Sequence, residues 1–321
     1  MTVRPEFQIE VAGRKVLIGT RTLIMGVLNV TPDSFSDGGR YFDPVRAVQH
    51  GVELARQGAD WIDVGGESTR PGSQSVSVEE ELRRVLPVIR KLRCKLPRVP
   101  ISIDTTKAEV AEQALQAGAD ILNDISGLRF EPRLAEVAQQ YGAPLILMRT
   151  RGTPETMQRM PITRNIWRSL ENGLETSIRR ALAAGVRRSH LILDPGLGFG
   201  KSRRQNYEIL AGLERLQCFR LPLLIGASRK SFVQAIVAGE GLDPSHAIRP
   251  GARYWPIAGT HHDTAHHSKT APDPNTALLP AGDAAVVVAA ILGGAHIVRV
   301  HAPAAILPAL RVADALLAAR R

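Results

Sequence analysis

Cysteine is nearly absent from this chain. Only Cys94 and Cys218 occur in 321 residues. They lie in separate predicted elements without a CxxC spacing, which excludes a disulfide framework and a thiolate metal centre and leaves both as expected packing residues. Aromatic residues are scarce too, at 4%, and no basic stretch is interleaved with them. The net charge of +10 therefore reads as a solvated surface that favours small phosphate-bearing molecules, and nucleic acid is not an expected partner. Long apolar runs are missing: Ala284 to Leu292 is among the longest, far short of the roughly 20 residues of a membrane span. The first segment carries Arg4, Glu6, Glu10 and Arg14 where a signal peptide would have an apolar core. No membrane partner and a cytoplasmic location are expected.

What is present is alternation. Aliphatic and β-branched runs recur at Leu23–Val30, Trp61–Val64, Val99–Ile103, Asp120–Leu122, Leu145–Met148, Leu191–Leu193, Leu221–Ile225 and His296–Val300. Segments of helical spacing lie between most of them, such as Val45, Val48, Val52 and Ala55, or Leu82, Val85, Ile89 and Leu92. Strand and helix in alternation imply parallel pairing, and runs that are apolar throughout imply strands covered on both faces. Eight such units in one chain predict an α/β fold of the (β/α)8 TIM-barrel type, a single domain over residues 1–321.

Two segments stand apart. Residues 1–22 alternate weakly around Gly13 and predict a hairpin closing the barrel floor. Residues from about 239 to 281 are proline-rich, carry Arg253-Tyr254-Trp255 and the cluster His261, His262, His266 and His267, and predict a long insertion loop after the seventh strand. The histidines are better explained as a polar loop than as a metal site, because Asp263 is the only partner beside them. The next helix is expected to begin near Gly282.

In such a barrel the C-terminal strand ends share one mouth. Read off the chain, they carry Asn29, Asp63 with Glu67, Asp104, Asn123 with Asp124, Arg149 with Arg151, Asp194, Ser228 to Lys230, and Arg299 with His301. Carboxylates and carboxamides suit a heterocycle with several N–H donors, and Arg, Lys and His suit phosphate oxygens, so the mouth fits an anionic heterocyclic ester. Two Gly- and Pro-marked stretches, Thr31 to Gly39 and Ser68 to Gly72, predict loops that close over it. Taken one at a time, these residues also fit caps, turn glycines and core positions; their convergence on one mouth favours a binding site.

The ordered motifs resemble dihydropteroate synthase. They are Asn29-Val-Thr-Pro-Asp-Ser-Phe-Ser-Asp-Gly-Gly39, Asp63-Val-Gly-Gly-Glu-Ser-Thr-Arg-Pro-Gly72, Ser102-Ile-Asp-Thr105, Leu122-Asn-Asp-Ile125, Asp194-Pro-Gly-Leu-Gly-Phe199, Ser228-Arg-Lys-Ser-Phe232 and Arg299-Val-His301. That family joins 6-hydroxymethyl-7,8-dihydropterin pyrophosphate to p-aminobenzoate. The resemblance implies a pterin site of Asp104, Asn123, Ile125, Met148, Asp194, Phe199, Gly226 and Lys230, and a pyrophosphate site of Asn29, Thr69, Arg70, Arg299 and His301. It also implies a p-aminobenzoate pocket of Phe35, Pro71 and Ser231, Mg2+ at Asn29 near Asp33, and a homodimer. Asp104, Lys230 and Arg299 are the implied catalytic residues, and sulfonamides the implied inhibitors. The Ser68 to Pro71 and Ser228 to Ser231 elements speak against a pterin-dependent methyltransferase. In three places the chain departs from the pattern, one of them the insertion after Ser228 to Phe232, which is expected to leave the active mouth of the barrel. Arg149 and Arg151 stand after Met148, implying an added positive charge near the pterin slot. Ala302 follows His301 where the family usually has Asp, implying that the histidine lacks its orienting carboxylate. A pterin-binding paralogue with attenuated turnover is the alternative these departures suggest.

Overall fold

Alternation of Phe7, Ile9 and Val11 with Gln8 and Glu10 makes strand β1 (Phe7–Val11), which pairs antiparallel with β2 (Arg14–Ile18). The two-residue turn between them puts both Ala12 (φ 52°) and Gly13 (φ 71°) in the left-handed region, as a tight hairpin requires. Ile9, Val11 and Ile18 are buried, so the hairpin has one dry face. The computed structural model describes residues 4–31, 43–70, 72–159, 162–226, 228–242 and 274–319.

The barrel strands are β3 (Leu23–Asn29), β4 (Trp61–Gly65), β5 (Ile101–Asp104), β6 (Ile121–Asp124), β7 (Leu145–Met148), β8 (Leu191–Asp194), β9 (Leu224–Gly226) and β10 (Ile297–Val300). Their order is β8-β7-β6-β5-β4-β3-β10-β9, with every pairing parallel, and a parallel bridge between Leu193 and Leu223 closes the ring. All eight expected strands are present.

Helices α1 (Pro44–Arg56), α2 (Val78–Lys95), α3 (Ala108–Gln116), α4 (Leu134–Tyr141), α5 (Ile166–Ala183), α6 (Arg203–Ala211), α7 (Ser231–Val237), α8 (Pro274–Leu292) and α9 (Pro303–Ala318) follow the strands in turn. Several begin on a side-chain cap: Asp43, Ser77, Asn165 and Ser202 each accept from a backbone N–H of the first turn. Apolar residues fill the space between strands and helices. A second apolar cluster forms the lower barrel layer, where Met25, Trp61, Ile121, Ile146, Ile192, Leu224 and Ile297 meet Ile9, Val11 and Ile18 of the hairpin. The hairpin thus plugs the floor, as its alternation implied.

Two expectations are corrected. Both cysteines are exposed, because Cys94 lies on the outer side of α2 and Cys218 in a 3-10 turn after α6, so neither is a packing residue. Helix α8 begins at Pro274, eight residues before Gly282, since proline at a first helical position sacrifices no backbone bond. The rest of the proposed insertion, with its four histidines, lies outside the described residues.

Candidate active site

Strand register brings the mouth residues to one level. Asn29 is paired with Gly65, Gly65 with Asp104, Asp104 with Asn123, Met148 with Asp194, and Arg299 with Gly226. At the centre is a buried network: Arg299 Nε donates to Asp63 Oδ2 at 2.6 Å, Arg299 Nη2 to Asp104 Oδ2 at 2.8 Å, and Asn123 Nδ2 to Asp63 Oδ2 at 3.0 Å. Asp63 is fully buried, and its Oδ1 has no hydrogen-bond partner. Burial pushes the Asp104 carboxyl up to about 7; Arg299 opposes this and Asp63 adds to it. Arg299, held between two carboxylates, is raised despite its burial.

The residues expected to hold a pterin assemble beside this network. Ile125, Met148 and Phe199 form an apolar cluster with Met157, a member the sequence did not single out. Lys230 Nζ stands 3.9 Å from the centre of the Phe199 ring, and burial, then Arg299, bring it down to about 8. Asp194, one strand pairing from Met148, is pushed up to about 6 by burial, although Gly196 N donates to its Oδ1 at 2.7 Å. That donation depends on a close turn. Gly196 has φ 67°, and a Cβ there would meet the Arg149 carbonyl oxygen at 2.4 Å.

Lys201 was also unforeseen. Its ammonium donates to the carbonyls of Gly196 (2.7 Å), Arg149 (2.9 Å) and Phe199 (3.1 Å), tying the loop that carries Phe199 to the end of β7. Burial lowers it to about 7. The chain carried no signal for this, because one of the three carbonyls, Arg149 O, comes from 52 residues earlier.

Arg149 does not enter the slot. It lies over Gly173 of α5, where a Cβ would meet its Nε at 2.1 Å, and its Nη1 donates to its neighbour Thr150 O. The expected added charge at the pterin site is therefore turned toward a helix, and the missing side chain at Gly173 is what makes room for it.

The cationic side of the mouth gathers around His301. Burial first, then Arg299, Arg229, Lys230 and Arg70, lower this imidazole to about 3, so it is neutral. Ser228 Oγ lies 3.3 Å from its Nδ1, and Ser228 in turn donates to Asp283 Oδ2 at 2.9 Å. Asp283, from α8, also accepts from Arg229 N at 3.1 Å, which holds a residue at φ 58°. Asp283 was not foreseen, because it lies far along the chain from Ser228.

The loop after β4 is anchored from below. Lys107 binds both Glu67 and the buried Glu81, and Glu67 also accepts from Val76 N. Gly72 N donates to Pro154 O at 2.9 Å, linking that loop to the one after β7. Thr69 is half-buried and Arg70 exposed on it. Ser231 opens α7. Phe35, Asp33 and Pro71 lie outside the described residues.

This arrangement matches known proteins along almost the whole chain. Residues 25–301 fit the family described as pterin binding enzyme. A dihydropteroate synthase from Synechocystis is 43% identical over 298 residues, covering 93% of this chain and 91% of that protein. The chain belongs to the dihydropteroate synthase family. Among solved structures of that family, the Yersinia pestis enzyme with a sulfonamide drug complex superposes with a TM-score of 0.80 at 36% identity, covering 98% of this chain and 100% of that one. The Xanthomonas albilineans enzyme in complex with 7,8-dihydropteroate gives 0.75 at 33% identity, covering 97% and 99%. These two dihydropteroate synthases thus share the fold described here.

Proposed function

We propose that this chain condenses 6-hydroxymethyl-7,8-dihydropterin pyrophosphate with p-aminobenzoate, giving 7,8-dihydropteroate and pyrophosphate, a transferase step of folate synthesis. The observation that carries the reading is the buried Asp63–Arg299–Asp104–Asn123 network beside Asp194 and Lys230, with an apolar slot between. An amino-pyrimidinone edge donates N–H bonds that a carboxylate accepts in pairs, and Asp194 has Oδ2 to offer beside the oxygen that Gly196 holds. Asn123, fixed by Asp63, presents the other half of its amide to the ring. Ile125, Met148 and Phe199 pack its faces, and Gly226, in register with Arg299, leaves its edge clear.

Cleavage of the C–O bond leaves negative charge on pyrophosphate and positive charge on the pterin methylene. Arg299 and Arg70 meet the first, and Asp104, buried against Arg299, meets the second, so both are stabilised by groups placed before the reaction. p-Aminobenzoate then attacks from the side of Ser231; Phe35 and Pro71, which the resemblance adds to its contacts, lie outside the described residues. The amine needs no base to become nucleophilic.

Asn29 would hold Mg2+. A Cβ on Gly65 would lie 3.9 Å from Asn29 Oδ1 and 3.8 Å from Asp104 Oδ2, so oxygen donors gather there, and no group of three His, Cys, Asp or Glu is found among the described residues. Such a sparse oxygen set fits a cation that keeps waters and takes phosphate oxygens. When bound it would neutralise charge on the diphosphate. A homodimer and a cytoplasmic location belong to the same reading; exposed Val312 and Leu316, one turn apart on α9, offer an apolar contact.

The test is pyrophosphate release by the purified protein. Release that requires the pterin diphosphate, Mg2+ and p-aminobenzoate together, and is abolished in Asp194→Asn and Arg299→Ala, supports the synthase reading. Pterin binding without release overturns it in favour of an attenuated paralogue.

A further inference from the structure

The family's usual carboxylate after the Arg-Val-His motif is Ala302 in this chain, yet His301 is not left without orientation. Its Nδ1 and its backbone N both face Ser228 Oγ, at 3.3 and 3.4 Å, and Ser228 Oγ lies 2.9 Å from Asp283 Oδ2. A serine hydroxyl has one proton and two lone pairs. Asp283 accepts from Arg229 N as well as from Ser228, and a carboxylate can only accept, so the hydroxyl proton points to it. Both serine lone pairs are then turned to His301: one meets the backbone N–H, and the other can meet Nδ1 only if Nδ1 carries hydrogen.

We infer that Asp283, acting through Ser228, fixes His301 as the Nδ1–H tautomer and thereby leaves Nε2 as the ring's bare acceptor within the cationic site. Arg70, Arg229, Lys230 and Arg299 are the charges nearest that ring. They keep it neutral until a diphosphate offsets them. The ring then takes a proton from solvent at Nε2 and donates it toward a phosphate oxygen as an imidazolium. Asp283 and Ser228 are positioning residues in this scheme. Ser228 lies just before α7 and Asp283 in α8, so segments on either side of residues 243–273 together set the chemistry of the residue that follows β10. The inference takes the anion site from the function proposed above, but the tautomer itself is a property of the protein without substrate.

Nitrogen-15 histidine spectra of the free protein decide it. The wild type is expected to show His301, assigned by loss of its signal in His301→Gln, protonated at Nδ1 and bare at Nε2, and to become doubly protonated on addition of inorganic pyrophosphate. Asp283→Ala frees the serine proton to turn toward the ring and Ser228→Ala removes the acceptor; both variants should shift His301 to the Nε2–H form. Asp283→Asn, whose amide oxygen still accepts the serine proton, should keep the wild-type pattern. His296, whose Nδ1 accepts from Leu223 N and whose Nε2 faces Pro5 O, reports in the same spectra that each variant is folded. In turnover, Asp283→Ala should raise KM for the pterin diphosphate about tenfold and leave KM for p-aminobenzoate unchanged, the loss expected when one charge-assisted bond is misaligned. Nε2–H in the wild type, or an unchanged tautomer in both Asp283→Ala and Ser228→Ala, overturns the inference. A protein that shows the expected tautomers but no turnover faults the proposed function and leaves the positioning intact.

Discussion

His296 and His301 stand at opposite ends of β10, one at the floor of the barrel and one at its mouth, and both are held neutral. His296 is fully buried and lowered to about 4, chiefly by burial. Its two nitrogens are satisfied by main chain, Leu223 N–H on Nδ1 and Pro5 C=O on Nε2, each at 3.0 Å. His301, lowered further, has Nδ1 facing a hydroxyl, and the charges of Arg299, Arg229, Lys230 and Arg70 act on its ring. The same contrast runs through both regions. At the floor, buried Arg4 finds Gly19 O, Thr22 Oγ1, Ala295 O and Asp314 Oδ1, and Asp314 also accepts from Thr22, so this buried cation meets fixed acceptors. At the mouth, Asp63 has an oxygen without a partner, and Asp104 and Asp194 are pushed up toward neutrality. The burial of Arg4 and His296 at the floor is resolved within the fold. At the mouth it awaits a ligand, and stability is given up for it.

Variants can break this comparison from either end. The largest expected effect is on turnover: Asp194→Asn should lower kcat/KM by about 10^4 or more, because a site built to pair the pterin edge is left mismatched. The same variant should be the more stable protein at pH 8. The folded-state value of about 6 lies above the ordinary 3.8, so this group favours folding below about pH 4 and loses that contribution as pH rises to about 6. Denaturation midpoints at pH 4 and pH 8 measure it; equal behaviour of the two proteins at both would show that the mouth carries no such strain.

Next, Arg299→Ala should reduce kcat by roughly 10^2 to 10^3, the usual cost of losing a preplaced charge at the leaving group. It should also lower stability, since two carboxylates lose their cation. At the floor the order reverses: Arg4→Ala should cost about 3 kcal/mol of stability, the scale for breaking a buried pair, while KM for both substrates stays at the wild-type value. A change in either KM would mean that floor and mouth are coupled.

The smallest effect is a pH slope. The folded value of about 4 for His296 lies below the ordinary 6.5, so its contribution is complete above about pH 6.5 and is lost as pH falls toward 4. The full loss is roughly 3 kcal/mol by the free energy of a pKa shift, spread over that window. His296→Asn should flatten the acid side of the stability curve, and a slope equal to the wild type's would remove His296 as its cause.

Much of the architecture was legible in the chain because it rests on local signals. Continuous apolar runs and helical spacing are enough to lay out eight parallel strands, and alternation around Gly13 is enough for the floor hairpin. The mouth residues were legible for the same reason: they are strand ends, and barrel geometry brings strand ends together whatever their separation. What the chain could not show is which way each side chain turns and what it meets there. Arg149 looked like a charge for the pterin slot and instead lies over Gly173. Lys201 satisfies three carbonyls that only the folded loop places around one point. Asp283, placed opposite Ser228 by the packing of α8 on α7, supplies His301 with the carboxylate that Ala302 does not. Periodicity is written along the chain, whereas hydrogen bonds between distant segments depend on distances that exist only after the barrel has closed.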